Sequence, residues 1–237
     1  MKTTDPLGKA LKDYSIGNKS KKIIVKSSIS EDEAVSIDYF FRPEELMPAI
    51  EQKALQLCQG KVLDAGAAAG RHSVILQKRG FEVWPIDISA GAVEVMKSRG
   101  LLNARQADYF KLENKKYDTL LFMMNGVGIC GHLEKLDQFF IKAGELLNQG
   151  GQIILDSSDI IYMLVDEDGS IELDLKANYY GEVKYQMQYD GVEGPFFYWL
   201  YVDFDTLSTY ADRNGFSCEM ILEGPHYEFL ARLRRGV

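Results

Sequence analysis

A regular alternation of short apolar runs with amphipathic segments, between residues 61 and 156, constrains the fold of this chain more than any other feature. Helices are predicted at about Gly70–Arg79, Ser89–Arg99 and Leu133–Asn148, where apolar residues recur at helical spacing. Regular alternation of strands and helices favours a parallel sheet with helices on both faces. The predicted strands are Lys61–Ala65, Glu82–Ile86, Asn103–Ala107, Tyr117–Met123 and Gly151–Asp156.

The segment before this alternation has a different character. Residues 1–42 are predicted to form an N-terminal arm or lid, since they begin with a polar, lysine-rich stretch interrupted by a β-branched run at Ile23–Val25. Residues 43–237 would form the main domain, and its first helix is predicted over Pro43–Gln59. One domain with additions is expected, because a chain of 237 residues can bury one large core.

An aromatic insertion follows the last strand of the alternation. Residues Tyr179–Tyr189 alternate aromatic with polar side chains, Pro195–Val202 are almost wholly apolar, and Gly191–Gly194 between them predicts a turn. An inserted β-hairpin is therefore predicted at about 170–203, as a substrate lid or a dimerisation surface of a homodimer. A helix near Thr206–Asn214 and two strands, Phe216–Leu222 and His226–Leu233, follow it.

Composition and charge disfavour several classes of function. Lysine and arginine total 27 against 35 aspartate and glutamate, and the net charge of -8 disfavours a nucleic-acid partner. The three cysteines and three histidines are scattered without metal-ligand spacing, so neither a disulfide framework nor a metal site is expected. No apolar run is long enough to cross a membrane and no export signal opens the sequence, so a cytoplasmic protein is expected.

The loop after the first strand of the alternation has the clearest chemical meaning. It consists of small residues over Asp64–Gly70, which let the backbone approach a ligand while the next helix points free N–H groups at it. Asp64 at the strand tip would repel a dinucleotide pyrophosphate but attract an ammonium or a sulfonium group. Arg71 also stands where the dinucleotide-binding pattern needs a small residue.

Polar residues follow the next three strands as well. Asp87 ends the second strand about twenty residues after Gly66, where a carboxylate can accept hydrogen bonds from both ribose hydroxyls. Asp108, after the third strand, would either accept a hydrogen bond from an adenine amino group or cap a helix. Asn125, after the fourth strand, could bind cofactor or substrate through its amide.

The pattern Asp64-x-Gly66-x-Ala68-x-Gly70, followed by Asp87 and Asp108, resembles the class I S-adenosylmethionine-dependent methyltransferases, with Ala68 in place of the usual middle glycine. The resemblance implies a Rossmann-like seven-stranded, mostly parallel sheet with helices on both faces and a reversed final strand, to which the sequence pattern adds the hairpin inserted after the fifth strand. It implies S-adenosyl-L-methionine as the cofactor, with Asp64 at its methionine end, Asp87 at the ribose and Asp108 at the adenine. The implied cofactor-binding residues are Asp64, Gly66, Ala67, Ala68, Gly70, Asp87, Ile88, Asp108, Tyr109 and Asn125.

The function implied is methyl transfer to a small-molecule acceptor, with no catalytic residue assigned. Gly126–Gly128 stands where some relatives carry Pro-Pro-Tyr or Pro-Pro-Phe, which weakens an interpretation as a DNA or protein-amide methyltransferase. Asp156–Asp159 stands where metal-dependent relatives place acids, but position 125 lacks the carboxylate that would complete such a set. Two alternatives stay open: a nicotinamide-dependent oxidoreductase, and a non-catalytic partner subunit that uses the aromatic hairpin as its interface.

Two neighbours of the loop have alternative placements. His72 follows the glycine loop and could face the pocket, but the helix surface is the expected placement. Tyr39–Arg42 precedes the first helix of the main domain, and either closes over the cofactor or packs against the sheet edge.

Overall fold

Eleven strands and six α-helices lie within residues 4–164 and 178–236, the part of the chain that the computed structural model describes. The strands are β1 (Ile23–Ser27), β2 (Glu33–Val35), β3 (Lys61–Ala65), β4 (Glu82–Asp87), β5 (Arg105–Gln106), β6 (Tyr117–Phe122), β7 (Leu147–Ser158), β8 (Glu182–Tyr189), β9 (Val192–Leu200), β10 (Phe216–Glu223) and β11 (Glu228–Arg235). The helices are α1 (Pro6–Ser15), α2 (Ala49–Leu57), α3 (Arg71–Lys78), α4 (Ala90–Ser98), α5 (Leu136–Leu146) and α6 (Phe204–Arg213).

The central sheet has seven strands in the order β10-β11-β7-β6-β3-β4-β5. The strands from β7 to β5 run parallel, whereas β11 is antiparallel to β7 and β10 is antiparallel to β11. This confirms the predicted Rossmann-like sheet with its reversed final strand. Because the strand order changes direction at β3, the C-terminal ends of β3, β4 and β6 meet at one edge, where open α/β sheets bind ligands.

The parallel strands carry apolar residues on both faces because both faces are buried. In β6, Leu120 and Phe122 pack into the cluster that α5 and α6 cover, and Leu121 packs into the cluster under α2 and α3. All three side chains are 0% exposed. Helices on both faces of the sheet therefore enforce the continuous apolar runs by which the sequence predicted these strands.

A second sheet joins the two parts of the sequence that flank the alternation. Its order is β2-β1-β8-β9, and every neighbouring pair is antiparallel. Strand β1 pairs with β8, with Val25 opposite Met187, so the N-terminal segment and the inserted hairpin form one structure. Helix α1 is tied to the central domain as well, since Ser89 Oγ donates a 2.7 Å hydrogen bond to Asp5. A lid function of residues 1–42 stays a prediction.

The hairpin turn differs from the prediction. Strands β8 and β9 are joined by Asp190 and Gly191, which have φ of 49° and 74°, and not by a turn over Gly191–Gly194. Two left-handed residues make the short turn whose twist matches that of the strands, and Asp-Gly is a favoured pair for it. Gly194 instead lies within β9, where an added Cβ would be 3.1 Å from Pro6 Cγ. Residues 170–177 of the predicted insertion lie outside the described part.

Several element boundaries were also predicted wrongly. The helix expected over 43–59 begins at Ala49, because the residue before Pro48 is pushed into an extended conformation. The helix expected over 133–148 covers only Leu136–Leu146, since Leu147 already pairs with Tyr117 as the first residue of β7. β5 is reduced to two residues, Arg105–Gln106.

Candidate active site

The loop that follows β3 has a left-handed backbone at three positions. Gly66, Ala68 and Gly70 have φ of 74°, 47° and 72°. Glycine adopts this conformation freely, whereas alanine at position 68 adopts it with strain, so the loop keeps its shape where a glycine has been replaced. The N–H groups of Gly66 and Ala67 both donate to Ile86 O at 3.0 Å, which holds the loop against β4.

A cleft opens above this loop at the C-terminal edge of the sheet. Asp64, Gly66, Ala67 and Ala68, all predicted as cofactor-binding residues, line it. Sequence reasoning missed most of the other lining residues, whose side chains come from three separate parts of the chain. These residues are Phe40, Ala69, Arg71, His72, Met123 and Met124.

Asp64 is the buried acid of this cleft. It is 2% exposed, and its Oδ2 accepts a 2.6 Å hydrogen bond from Ser73 Oγ. Burial raises the pKa of Asp64, and the nearby His72, Ser73 and Arg71 offset only part of that rise. A carboxylate in this environment favours a cationic ligand, because the ligand's charge compensates for the lost hydration.

Asp87 lies beside the loop at the end of β4. Its Oδ2 accepts a hydrogen bond from Ala68 N at 2.9 Å, and its Oδ1 accepts one from Ser89 N at 2.8 Å. Burial raises the pKa of Asp87, and the amide groups of Ser89 and Ala68 oppose the rise. Since a carboxylate has about four lone-pair sites, these two bonds leave capacity for a pair of ligand hydroxyls.

Gly70 and Ile88 occupy the edges of the predicted site. Gly70 is enclosed by protein, since a Cβ added there would lie 2.5 Å from Leu101 Cδ1. The absence of a side chain at Gly70 therefore lets the start of α3 pack closely against Met96 of α4 and Leu101. Ile88 is 74% exposed and follows directly after Asp87. Its apolar side chain is available at the surface to cover a flat ligand group.

Asp108 and Tyr109 follow β5. Asp108 caps the short 3-10 turn after it, accepting a 3.0 Å hydrogen bond from Phe110 N, in agreement with the capping alternative. Tyr109 is 4% exposed, and its hydroxyl donates to Phe139 O at 3.0 Å. The Tyr109 side chain thus belongs to the core, and only its backbone remains near the strand tips.

A buried ion cluster lies beside the cleft, and we call it the Glu51 cluster (Arg42, Glu51, Arg71 and His72). Glu51 accepts hydrogen bonds from His72 Nε2 at 2.7 Å and from Arg42 Nη2 at 2.6 Å, and it pairs with the Arg71 guanidinium. Burial alone would raise the pKa of Glu51, but the hydrogen bond from His72 and the charges of Arg71 and Arg42 together lower it. The carboxylate is therefore held ionised in the interior.

The expectation that His72 lies on the helix surface is wrong. His72 is 4% exposed because its ring faces Glu51 of α2, a residue 21 positions earlier in the chain. Arg71, His72 and Ser73 open the helix with three polar residues, and the structure buries all three. A polar first turn is also usual at an exposed helix start, so the sequence alone did not indicate that these residues are buried.

Tyr39–Arg42 is docked on the same cluster. Arg71 Nη1 donates a 2.7 Å hydrogen bond to Tyr39 O. The Tyr39 ring lies 4.0 Å from the Arg42 guanidinium carbon and 5.0 Å from that of Arg71. Phe40, next in the chain, lines the cleft, so this segment covers part of the site instead of packing only against the sheet edge.

The tips of β6 and β7 form the other end of the site. Met124 and Asn125 have φ of 65° and 55°, and Asn125 N donates a 3.1 Å hydrogen bond to Asp156 Oδ1. Asn125 Oδ1 is buried and has no hydrogen-bond partner among the described residues. Burial raises the pKa of Asp156 to about 7, opposed by the Asn125 amide and reinforced by the charge of Glu51.

The inserted hairpin turns one aromatic face towards these tips. A Cβ added at Gly128 would lie 2.0 Å from Trp199 Nε1, so the indole rests directly on the turn that follows β6. The hydroxyls of Tyr185 and Tyr201 are 3.0 Å apart. On the other side, Phe196 is 62% exposed. Both predicted roles of the hairpin, substrate lid and dimerisation surface, stay predictions.

Comparison with known proteins finds methyltransferases, the class that the sequence resembles. Residues 63–155 match the family model described as "Methyltransferase domain". The fold is similar to that of a SAM-dependent methyltransferase from Bacteroides fragilis in complex with S-adenosyl-L-homocysteine, with a TM-score of 0.92 and 44% identity, over 98% of this chain and 95% of that chain. No curated protein sequence matches the chain.

More distant structures share the fold alone. The CcbJ methyltransferase from Streptomyces caelestis has a TM-score of 0.61 and 16% identity, over 84% of this chain and 92% of that chain. An S-adenosylmethionine-dependent methyltransferase from Clostridium acetobutylicum has a TM-score of 0.58 and 15% identity, over 79% of this chain and 89% of that chain. Both likenesses support the Rossmann-like architecture.

The sheet order, the loop after β3 and the cleft above it define a Rossmann-like methyltransferase fold. With 44% identity to a relative that it matches over nearly its whole length, the chain belongs to the S-adenosylmethionine-dependent methyltransferases. It is an enzyme with S-adenosylmethionine as methyl donor, which replaces the oxidoreductase and non-catalytic alternatives. Among the described residues, no helix is long and apolar enough to cross a membrane.

Proposed function

We propose that this enzyme transfers the methyl group of S-adenosylmethionine to a small-molecule acceptor. The observation that carries the proposal is that aromatic side chains, Phe40 and Trp199, cover the C-terminal ends of the strands. Phe40, in the turn that follows β2, lines the cleft, and Trp199, within β9, lies against Gly128. β2 and β9 are the two outer strands of the small antiparallel sheet. A duplex or a folded protein would be kept from the strand tips by such a cover, whereas a small molecule would not. The net charge of -8 further disfavours nucleic acid.

The donor would lie along the C-terminal edge of the sheet, where it supplies an electrophilic methyl group on a sulfonium. Asp64 would face the cationic groups of its methionine end, and Arg71 would bind the carboxylate, since Arg71 Nε is buried without a hydrogen-bond partner among the described residues. The backbone of Gly66–Ala68 would approach the ligand closely. The relative from Bacteroides fragilis holds S-adenosyl-L-homocysteine, the product that such a donor leaves.

The ribose and adenine would lie further along the same edge. Asp87 would accept hydrogen bonds from the ribose hydroxyls with the lone pairs that Ala68 N and Ser89 N leave unused. Ile88 and Asp108 would flank the adenine, and Tyr109 would contribute only its backbone, because its side chain is buried in the core.

The first test is a calorimetric titration of the purified chain with S-adenosylhomocysteine, with NADH as the parallel control. Saturable binding of S-adenosylhomocysteine alone is expected. Methylated products should then be found by mass spectrometry after incubation with small-molecule pools and S-adenosylmethionine. Methylation of a protein or nucleic-acid fraction, with none in the small-molecule pools, would refute the proposed acceptor class.

Asp87→Ala tests the ribose assignment. The variant should bind S-adenosylhomocysteine more weakly by about 1–3 kcal/mol, the scale of lost hydrogen bonds to a charged group. Asp212→Ala, an exposed position on α6, is the matched control and should leave the affinity unchanged. Equal affinity in the Asp87 variant and the parent chain would rule the assignment out.

A further inference from the structure

The tip of β6 stores backbone strain. Met124 and Asn125 are consecutive left-handed residues, with φ of 65° and 55°, and neither is a glycine. Each such residue costs about 1–3 kcal/mol and persists only where its surroundings hold it in place. Here the Asn125 amide is held by Asp156 Oδ1 at 3.1 Å, so the strained tip is fixed against the end of β7. Met124 lines the cleft, which places the strain at the site.

This tip presents hydrogen-bond acceptors. Asn125 Oδ1 is buried without a partner among the described residues, although buried polar atoms are nearly always paired. Its neighbour Asp156 is a partly buried carboxylate, which accepts hydrogen bonds when it is ionised. A ligand group that carries two N–H bonds would satisfy both side chains. A ligand carboxylate or phosphate could pair with neither the Asn125 Oδ1 atom nor the ionised Asp156 carboxylate.

The charged residues in the two segments around the tip are acidic. Two segments surround the tip: residues 123–133, which follow β6, and residues 154–164, which include the end of β7. They contain Asp156 and Asp159 but no lysine or arginine. Trp199 rests on Gly128 within the first of these segments. Because Asp156 and Asp159 are the charged residues of these segments, the segments favour a positively charged or N–H-bearing group over an anion.

We propose that Asn125 and Asp156 bind the amino group of the acceptor, so that this enzyme is an amine N-methyltransferase. The inference rests on the proposed function, and it assigns Asn125 to the acceptor and not to the donor. Asn125 Oδ1 accepts one N–H and orients the nitrogen lone pair towards the donor. Asp156 accepts the second N–H.

Atoms and charges balance in the transfer. The nitrogen lone pair forms the new N–C bond while the S–C bond breaks and its electron pair stays on sulfur. The nitrogen then carries one excess proton, which the Asp156 carboxylate takes. A sulfonium, a neutral amine and a carboxylate thus become a thioether, a neutral methylamine and a carboxylic acid.

The experiment compares three pools of matched molecular size: primary and secondary amines, alcohols with phenols, and carboxylates. Each is incubated with the full chain and S-adenosylmethionine labelled in the methyl group. The amine pool should be methylated at least tenfold faster than either other pool. Faster methylation of another pool, or of none while S-adenosylhomocysteine still binds, would overturn the amine assignment. Absent S-adenosylhomocysteine binding would instead contradict the proposed function.

Variants test the two residues separately. Asn125→Gly removes the unpaired oxygen while keeping the left-handed backbone, and should lower amine methylation at least tenfold with less than a twofold change in S-adenosylhomocysteine affinity. Asn125→Asp, which restores an acceptor oxygen, should recover part of the rate. Asp156→Asn should lose the rate tenfold or more. Asn114→Gly, at an exposed left-handed asparagine with φ of 59°, is the control and should keep full activity. Parental rates in both site variants would refute the assignment.

Discussion

The two ends of the cleft are built in opposite ways. At the end that we propose for the donor, Glu51 is shared by Arg42, Arg71 and His72, and Asp64 and Asp87 already accept hydrogen bonds from protein groups. At the end that we propose for the acceptor, Asn125 is strained and its Oδ1 has no partner among the described residues, and burial raises the pKa of Asp156 to about 7. The proposed donor end is therefore held by ion pairs between side chains from separate elements, although Ala68 is strained and Arg71 Nε has no partner among the described residues. The proposed acceptor end is held by the hydrogen bond from Asn125 N to Asp156 Oδ1.

The largest effect is expected at the donor end. Glu51→Gln would leave the buried cations of its cluster without a carboxylate, at a cost of about 3–5 kcal/mol in the free energy of unfolding. Urea denaturation would measure it. Glu44→Gln, which breaks a half-exposed pair with Arg79, is the matched control and should cost at most about 1 kcal/mol. Similar costs in the two variants would mean that the donor end is not held by the Glu51 cluster.

The next effect concerns the wall of the acceptor end. Gly128→Ala places a Cβ 2.0 Å from Trp199 Nε1, so the indole must move, at a cost of about 1–3 kcal/mol. Trp fluorescence should change while S-adenosylhomocysteine affinity does not. Gly144→Ala in α5, where the nearest atom is the flexible Arg235 side chain at 3.4 Å, should cost nothing. Unchanged stability and fluorescence in the Gly128 variant would contradict the contact.

Asp156→Asn is expected to stabilise the protein at about pH 8, by roughly 1–3 kcal/mol. Burial raises the pKa of Asp156 to about 7, against about 3.9 in an unfolded chain. The stability that this residue contributes is therefore present below about pH 4 and is lost as the pH rises through about 7. Denaturation at several pH values should show the gain of the variant shrinking towards about pH 4.

Asp118→Asn is the control of opposite sign. The Lys61 amide and then the Asn148 side chain lower the pKa of Asp118, so its stabilising contribution is present above about pH 4 and is lost as the pH falls through the folded-state pKa. This variant should lose stability at neutral pH. The same pH trend in both variants would show that the raised pKa of Asp156 is not the cause.

The smallest effect is expected outside both ends. Phe196 lies on the outer face of the hairpin with 62% of its surface exposed, and Phe196→Ser should cost less than about 1 kcal/mol. Trp199→Ser, three residues further along β9 at a position that packs against Gly128, should cost more. A larger loss at Phe196 would show that another molecule covers the outer face, which would favour the dimerisation interpretation of the hairpin.

Much of the fold was predictable because its signals are local. β3 was predicted over Lys61–Ala65, the bounds it has, since a short apolar run before small residues is a strand signal in itself. The left-handed positions of the loop follow from Gly66 and Gly70. The turn at Asp190–Gly191 was missed because two overlapping turn sequences compete, and strand pairing decided between them.

Less of the site was predictable. Asp64 and Asp87 could be assigned from their positions at strand ends, and the structure places both at the loop. His72 could not, because its partner Glu51 is chosen by the packing of α3 against α2. Tyr109 shows the converse case, since a residue at a strand tip turned its side chain into the core.

The sequence by itself determined the alternating strands and helices, the loop of small residues and the acids at the strand ends, because periodicity, glycine conformation and strand termini depend on neighbouring residues. Only the tertiary structure decided that β1 pairs with β8, that Arg42, Arg71 and His72 share Glu51, and that Asn125 is held by Asp156. These contacts join residues far apart in the chain, and their partners are selected by how the elements pack.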